Sequence, residues 1–217
     1  MIPRSIRALG GLAAVGLIAV ACTAPGSGAP SPTPAPPSAP ASSDGAAGEC
    51  PTSQPAALPA GETRTVTITT DLGTMDLKIE ADLSPIAAGN FVALAECGFY
   101  DGVVFHRVVP EFVIQGGDPT GTGGGGPGYS IQDEPVTTPY SRGTVAMART
   151  TQPNSVGSQF FIVLDDSARG ALQAANTYQI IGSVSSGMET ADAIAAAADA
   201  ELPSDPVAMT DVSVKTP

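Results

Sequence analysis

Phe105-His106-Arg107-Val108-Val109-Pro110-Glu111-Phe112-Val113-Ile114-Gln115-Gly116-Gly117-Asp118 sets one arginine among alternating apolar residues and ends in a tight Gly-Gly turn. Gln115 lies eight positions after Arg107. A second run, Gly157-Ser158-Gln159-Phe160-Phe161-Ile162-Val163, is again short, apolar and bounded by glycine. Both read as strands held between turns.

Outward from these runs the same alternation recurs. Val66 and Ile68, then Met75, Leu77 and Ile79, flank Asp71-Leu72-Gly73-Thr74 and predict a hairpin. Ser84-Pro85 reads as a helix N-cap followed by proline in the first turn, and Gly98 closes that helix. Short strands are expected around 103–107, 112–115, 144–148, 159–164 and 178–184, with glycine- and proline-rich loops between them. A second helix is expected over 188–198 and a last strand over 207–214. Many short strands with helices only near the two ends predict a mainly β fold, a closed eight-stranded antiparallel barrel capped by two α-helices.

The first sixty or so residues have a different character. Arg4 and Arg7 precede an uncharged apolar run, Ala8 to Ala21, that ends in Ala19-Val20-Ala21-Cys22. A short basic start, a short apolar stretch and small residues before a cut describe a secretory signal over 1–21. The run falls short of the roughly 20 apolar residues of a bilayer span. With Cys22 directly after the small residues, the segment resembles a bacterial lipobox, which implies acylation of Cys22. Ala19 stands where such boxes most often carry leucine, and an ordinary cleaved signal with a free Cys22 is the alternative. Residues 22–61 then form a tether of Pro, Ala, Ser and Gly, too poor in large apolar groups to fold, leaving 62–217 as one domain. The chain is thus expected to be exported and lipid-anchored to the outer face of a bacterial cytoplasmic membrane, or else secreted.

Removing Arg4 and Arg7 leaves 7 basic residues against 21 acidic ones, a net charge of −14. Nucleic acid demands a basic footprint, and anionic lipid attracts one, so neither is an expected partner; the lipid anchor is the one expected link to a membrane. An exported compartment permits a Cys50–Cys97 disulfide, and two unpaired thiols are the other possibility. His106 is the one histidine, which excludes multi-histidine metal sites. No metal or cofactor is expected, and His106 reads as a buried, hydrogen-bonded neighbour of Arg107. The glycine run 121–128 lacks the Gly-Lys-Ser/Thr ending of a phosphate loop and reads as a flexible loop. Asp133-Glu134 and Asp165-Asp166 read as solvated turns.

The two quoted runs, in this order and at this separation, resemble the signature segments of the cyclophilins, the peptidyl-prolyl cis/trans isomerases. The similarity extends over about residues 65–214 and implies an eight-stranded antiparallel barrel with two helices closing its ends. By resemblance Arg107 is the catalytic donor, with Phe112 and Gln115 beside it. Phe112, Val113 and Phe161 are implied to hold a proline ring, with Leu172 and Tyr178 at the rim. Gln115 is implied to orient Arg107, while Gln159 and the backbone of Ala148-Arg149-Thr150 flank a peptide groove. Val113 replaces a methionine common in eukaryotic members, Arg149-Thr150 replaces Asn-Ala, and the chain has no tryptophan. The implied partners are proline-containing polypeptides met by a monomer; a non-catalytic, proline-peptide-binding chaperone or scaffold on the same barrel is the second reading.

Overall fold

The computed structural model describes residues 49–215. The expected signal, Cys22 and most of the tether lie outside the described residues. Alternation builds the first hairpin: β1 (Thr63–Thr70) pairs antiparallel with β2 (Gly73–Glu80), setting Val66 against Leu77 and Ile68 against Met75. These four side chains and Ile79 are fully buried. Helix α1 (Pro85–Glu96) follows and buries Phe91, Leu94 and several alanines against that face.

The remaining strands are β3 (Arg107–Val109), β4 (Val113–Gly116), β5 (Thr144–Met147), β6 (Phe160–Val163), β7 (Ile180–Ser186) and β8 (Asp211–Lys215). They form one eight-stranded antiparallel sheet in the order β3-β4-β6-β5-β7-β2-β1-β8. The sheet curls into a half-barrel, and the expected closed barrel is not formed, because β3 and β8 stay unpaired at its ends. The outer edge of β3 is already occupied: the Val108 amide donates to the Glu201 carbonyl in the loop after α3 (Met188–Ala197). That loop carries Pro203 and Pro206, which have no N–H to give a ladder. The gap is spanned only by an isolated antiparallel bridge between Val104 and Ala208, with bonds from Gly102 N to Met209 O, Met209 N to Val103 O and Phe105 N to Val207 O. Residues 103–105 belong to this bridge, so the strand expected at 103–107 begins only at Arg107.

Among the described residues there are three α-helices rather than two. The extra one, α2 (Arg169–Ala175), follows a 3-10 turn in which the Asp165 side chain accepts from the Ser167 amide. Leu172 is its one buried side chain, so it leaves no apolar period in the sequence. The start of α1 also differs from expectation. Ser84 makes no side-chain cap; its hydroxyl is buried without a partner, and Glu134 caps the helix from a distant loop. The two Glu134 carboxylate oxygens accept from the Ile86 and Ala87 amides at 2.9 Å each, where the helix dipole favours negative charge.

Residues 49–61, assigned to the tether from composition, pack on the domain instead. Cys50 is disulfide-bonded to Cys97, with a Cα–Cα distance of 5.1 Å. The Leu58 amide donates to the Pro85 carbonyl, Gln54 accepts from the Gln132 amide, and the Leu58 side chain is buried. Gly89 makes this possible, since a Cβ there would run into the Ala56 carbonyl. The bridge is one of the two outcomes expected for these cysteines, whereas a single leucine gives composition no warning of the packing. The bridge closes a long loop, so reduction, or Cys50→Ser with Cys97→Ser, is expected to lower stability by about 3 kcal/mol in urea unfolding.

Candidate active site

The antiparallel register places three of the candidate residues, Arg107, Gln115 and Phe161, in one row. Arg107 on β3 stands opposite Gln115 on β4, Gln115 opposite Phe161 on β6, and Phe161 opposite Ala146 on β5. Cross-strand partners share a face. Two residues along, Val109, Val113 and Val163 continue it. The intervening residues Val108, Ile114, Ile162, Phe160, Val145 and Met147 point the other way, into the main core. Period two therefore gives the sheet a core face and a site face.

On the site face, Val113, Tyr140, Ala146, Phe161, Val163, Ala168, Leu172 and Ile180 form a second apolar cluster, with Phe112, Ala148 and Tyr178 partly buried against it. The rings of Phe161 and Tyr178 meet edge to face, 5.4 Å apart. Tyr178 is pinned by Tyr140, whose hydroxyl donates to the Tyr178 carbonyl at 2.8 Å and accepts from its amide at 3.2 Å. Burial pushes the Tyr140 phenol up to about 12, despite the bond to Tyr178. Nothing in the sequence singled out Tyr140, because a hydroxyl that buttresses backbone carries no motif.

Beside the cluster lies a groove of about 510 Å³ lined by Gln115, Ala148, Arg149, Thr150, Gln159 and the glycine-rich loop. Two interlocked networks shape it. Gln115 donates to the Gln159 side-chain oxygen at 3.0 Å, and Gln159 donates to the Gly123 and Gly125 carbonyls. Gln115 thus turns its amide to Gln159, not to Arg107 as the resemblance implied. Arg107 is held instead by Glu201, with its Nε donating to Oε1 at 2.7 Å. Among the described residues no other side chain bonds the guanidinium, leaving its terminal N–H groups available to a ligand. Arg149 folds into its own loop, donating to the Thr150 and Gln152 carbonyls and pairing with Asp133. Asp133 also exchanges bonds with Asn154. Asp166 accepts from the Arg142 amide. These acidic turns therefore brace structure.

The second network centres on Asp118, whose side chain is fully buried. It accepts from the amides of Thr120, Gly123 and Gly125 and from the Thr120 hydroxyl. The loop expected to be flexible is thus wrapped around one carboxylate. Before it, Gly117 has φ +87°, and a Cβ there would strike the Ser158 carbonyl. His106 is buried beside this network, but among the described residues neither ring nitrogen has a hydrogen-bond partner, contrary to expectation. Burial holds its pKa below the ordinary histidine range, with the Asp118 charge pulling the other way. A neutral imidazole leaves Arg107 the cation of the row.

Burial alone would raise the Asp118 pKa, but the bonds from Gly125, Thr120 and Gly123 outweigh it and bring it from 3.8 to about 2. A carboxylate depressed in the fold adds stability that is complete above its unfolded pKa and lost as pH falls through its folded one. For Asp118 that window runs from about pH 4 to about pH 2 and is worth about 2 kcal/mol. Asp118→Asn is expected to remove a similar amount at pH 7 and to flatten the acid limb, as read by urea unfolding at pH 7, 4 and 2.

The family described as cyclophilin type peptidyl-prolyl cis-trans isomerase/CLD matches residues 65–214. Peptidyl-prolyl cis-trans isomerase B of Bacillus subtilis is 47% identical over 120 residues, covering 52% of this chain and 80% of that protein. A peptidyl-prolyl cis-trans isomerase of Acinetobacter baylyi is 35% identical over 168 residues, covering 70% of this chain and 85% of the relative. Other relatives are longer: the match spans 22% of a putative bifunctional phosphatase/peptidyl-prolyl cis-trans isomerase of Streptococcus pyogenes and 63% of an isomerase of Synechococcus elongatus. Among solved structures, a cyclophilin type isomerase of Cryptosporidium parvum superposes with a TM-score of 0.65 at 33% identity, covering 72% of this chain and 99% of that one. With the family match running from β1 into β8, and the arginine, glutamine and phenylalanine row on one sheet face, the chain belongs to the cyclophilin-type peptidyl-prolyl cis-trans isomerase family.

Proposed function

We propose that this chain is a peptidyl-prolyl cis/trans isomerase acting on X-Pro bonds in unfolded or flexible exported polypeptides, with Arg107 as the catalytic residue. The observation that carries it is the row Arg107, Gln115, Phe161 beside the cluster of Phe112, Val113, Leu172 and Tyr178. Resonance gives a peptide C–N bond a rotation barrier of about 18–20 kcal/mol. The two X-Pro end states differ by only about 0.5–1 kcal/mol, yet exchange takes tens to hundreds of seconds. Twisting the bond breaks that resonance and returns a lone pair to the nitrogen. A fixed cationic donor beside it stabilises the twisted amide more than the planar one, which is the condition for acceleration. An acceleration of roughly 10⁴ needs only about 5.5 kcal/mol. The apolar cluster seats the ring; the Gln115–Gln159 pair and the backbone of Ala148-Arg149-Thr150 hold the flanking peptide.

In a prolyl isomerisation assay, Arg107→Ala is expected to lose at least about 100-fold in kcat/KM while remaining folded. Wild-type activity retained by that variant would overturn the role of Arg107. A binding role is the second reading, favoured by the groove of about 510 Å³ that extends the site beyond a proline ring. It predicts a folded wild type that binds proline peptides without accelerating their isomerisation.

We further propose export, with a lipid on Cys22, for a monomeric protein. The apolar run before small residues and Cys22 supports this, as does the Cys50–Cys97 disulfide, which suits an oxidising compartment. Mass spectrometry of the mature protein is expected to find an acylated Cys22 at its N-terminus; an unmodified cysteine would leave plain secretion.

A further inference from the structure

We infer that Glu201 is the positioning residue for Arg107, fixing the guanidinium for rotation of the prolyl bond; this rests on the isomerase reading above. Arg107 sits on the short edge strand β3 with its side chain one-third exposed, where a long side chain has many rotamers open to it. The cross-strand neighbour placed to restrain it, Gln115, is committed to Gln159. Glu201 supplies the restraint, because its carboxylate takes the Nε–H and leaves the two terminal nitrogens of the fork unengaged by other described side chains. A bond at Nε fixes the plane of the guanidinium, whereas one at a terminal nitrogen would compete with substrate.

The carboxylate is itself well placed. Its own carbonyl accepts from the Val108 amide, next to Arg107 in β3. The turn that carries it is braced by Asp199, which accepts from the Ser204 amide and hydroxyl at 3.0 and 2.6 Å. Pro203 and Pro206 stiffen the same turn. Glu201 is 59% exposed at its side chain, so the pair adds little to stability. Its effect falls on geometry: each rotamer of Arg107 that points into solvent is a non-productive state, and the bond to Glu201 depopulates those states.

The test compares wild type, Glu201→Ala and Glu201→Gln on one X-Pro peptide, with thermal unfolding and the NMR signal of the Arg107 Nε–H. Glu201→Ala is expected to lose roughly five- to tenfold in kcat with KM within about twofold, and to keep its melting temperature. Glu201→Gln, whose amide oxygen still accepts the Nε–H, is expected to recover to within about twofold of wild type. The Arg107 Nε–H signal should be protected from exchange in wild type and Glu201→Gln, and lost in Glu201→Ala. Glu201→Ala turning over as fast as wild type, or faster, would overturn the inference. So would loss confined to KM, or an Nε–H signal indifferent to the substitution. A wild type that does not accelerate isomerisation at all would instead sink the isomerase reading, a result separable from any ratio between variants.

Discussion

A pleated strand has two faces, and in β3, β4, β6 and β5 each face has a separate task. Val108, Ile114, Phe160, Ile162, Val145 and Met147 drive one face into the main core, where Phe160 meets both Phe91 and Tyr100 edge to face. That burial holds the register, because a slip of one residue would exchange the two faces wholesale. Arg107, Gln115, Phe161 and Val113 are positioned as a consequence of packing they take no part in. Loops and helices then add what the strands cannot: Leu172 from α2, Tyr178 from the approach to β7, and Glu201 from the turn after α3.

The groove obeys a related logic. A run of glycines has too much conformational freedom to make a wall by itself. Asp118 collects the amides of Thr120, Gly123 and Gly125 on one buried carboxylate, and Gln159 takes two of the loop's carbonyls. The loop's amides and carbonyls are thereby satisfied by two side chains, Asp118 and Gln159, that lie outside the glycine run. Arg149, curled into its own turn and tied to Asp133, does the same for the opposite side.

What the sequence made legible follows from which interactions are local. The apolar alternation of β1 and β2 and the proline before α1 are local, and the structure places each where the pattern implies. Contacts between distant positions were not legible. Ser84 looked like the cap of α1, yet Glu134 holds that helix. Gln115 looked like the partner of Arg107, yet a glutamate 94 positions along the chain has that bond. Closure of the barrel failed for the same kind of reason, since the loop of Glu201 occupies the edge that β8 would have needed. The Cys50–Cys97 bridge was legible as one of two possibilities, but the packing of residues 51–61 was not, because docking by Leu58 requires almost no apolar composition.

The disulfide has a mechanical consequence. A pull entering the domain at residue 49 meets a covalent cross-link one residue later, at Cys50, and is handed to Cys97 beside the C-terminal end of α1. The load then bypasses the packed segment between Gln54 and Leu58, which an unbridged chain would peel away one hydrogen bond at a time. It enters through a helix whose apolar side is buried. Force is taken up by the main core, on the face of the sheet opposite Arg107 and Phe161.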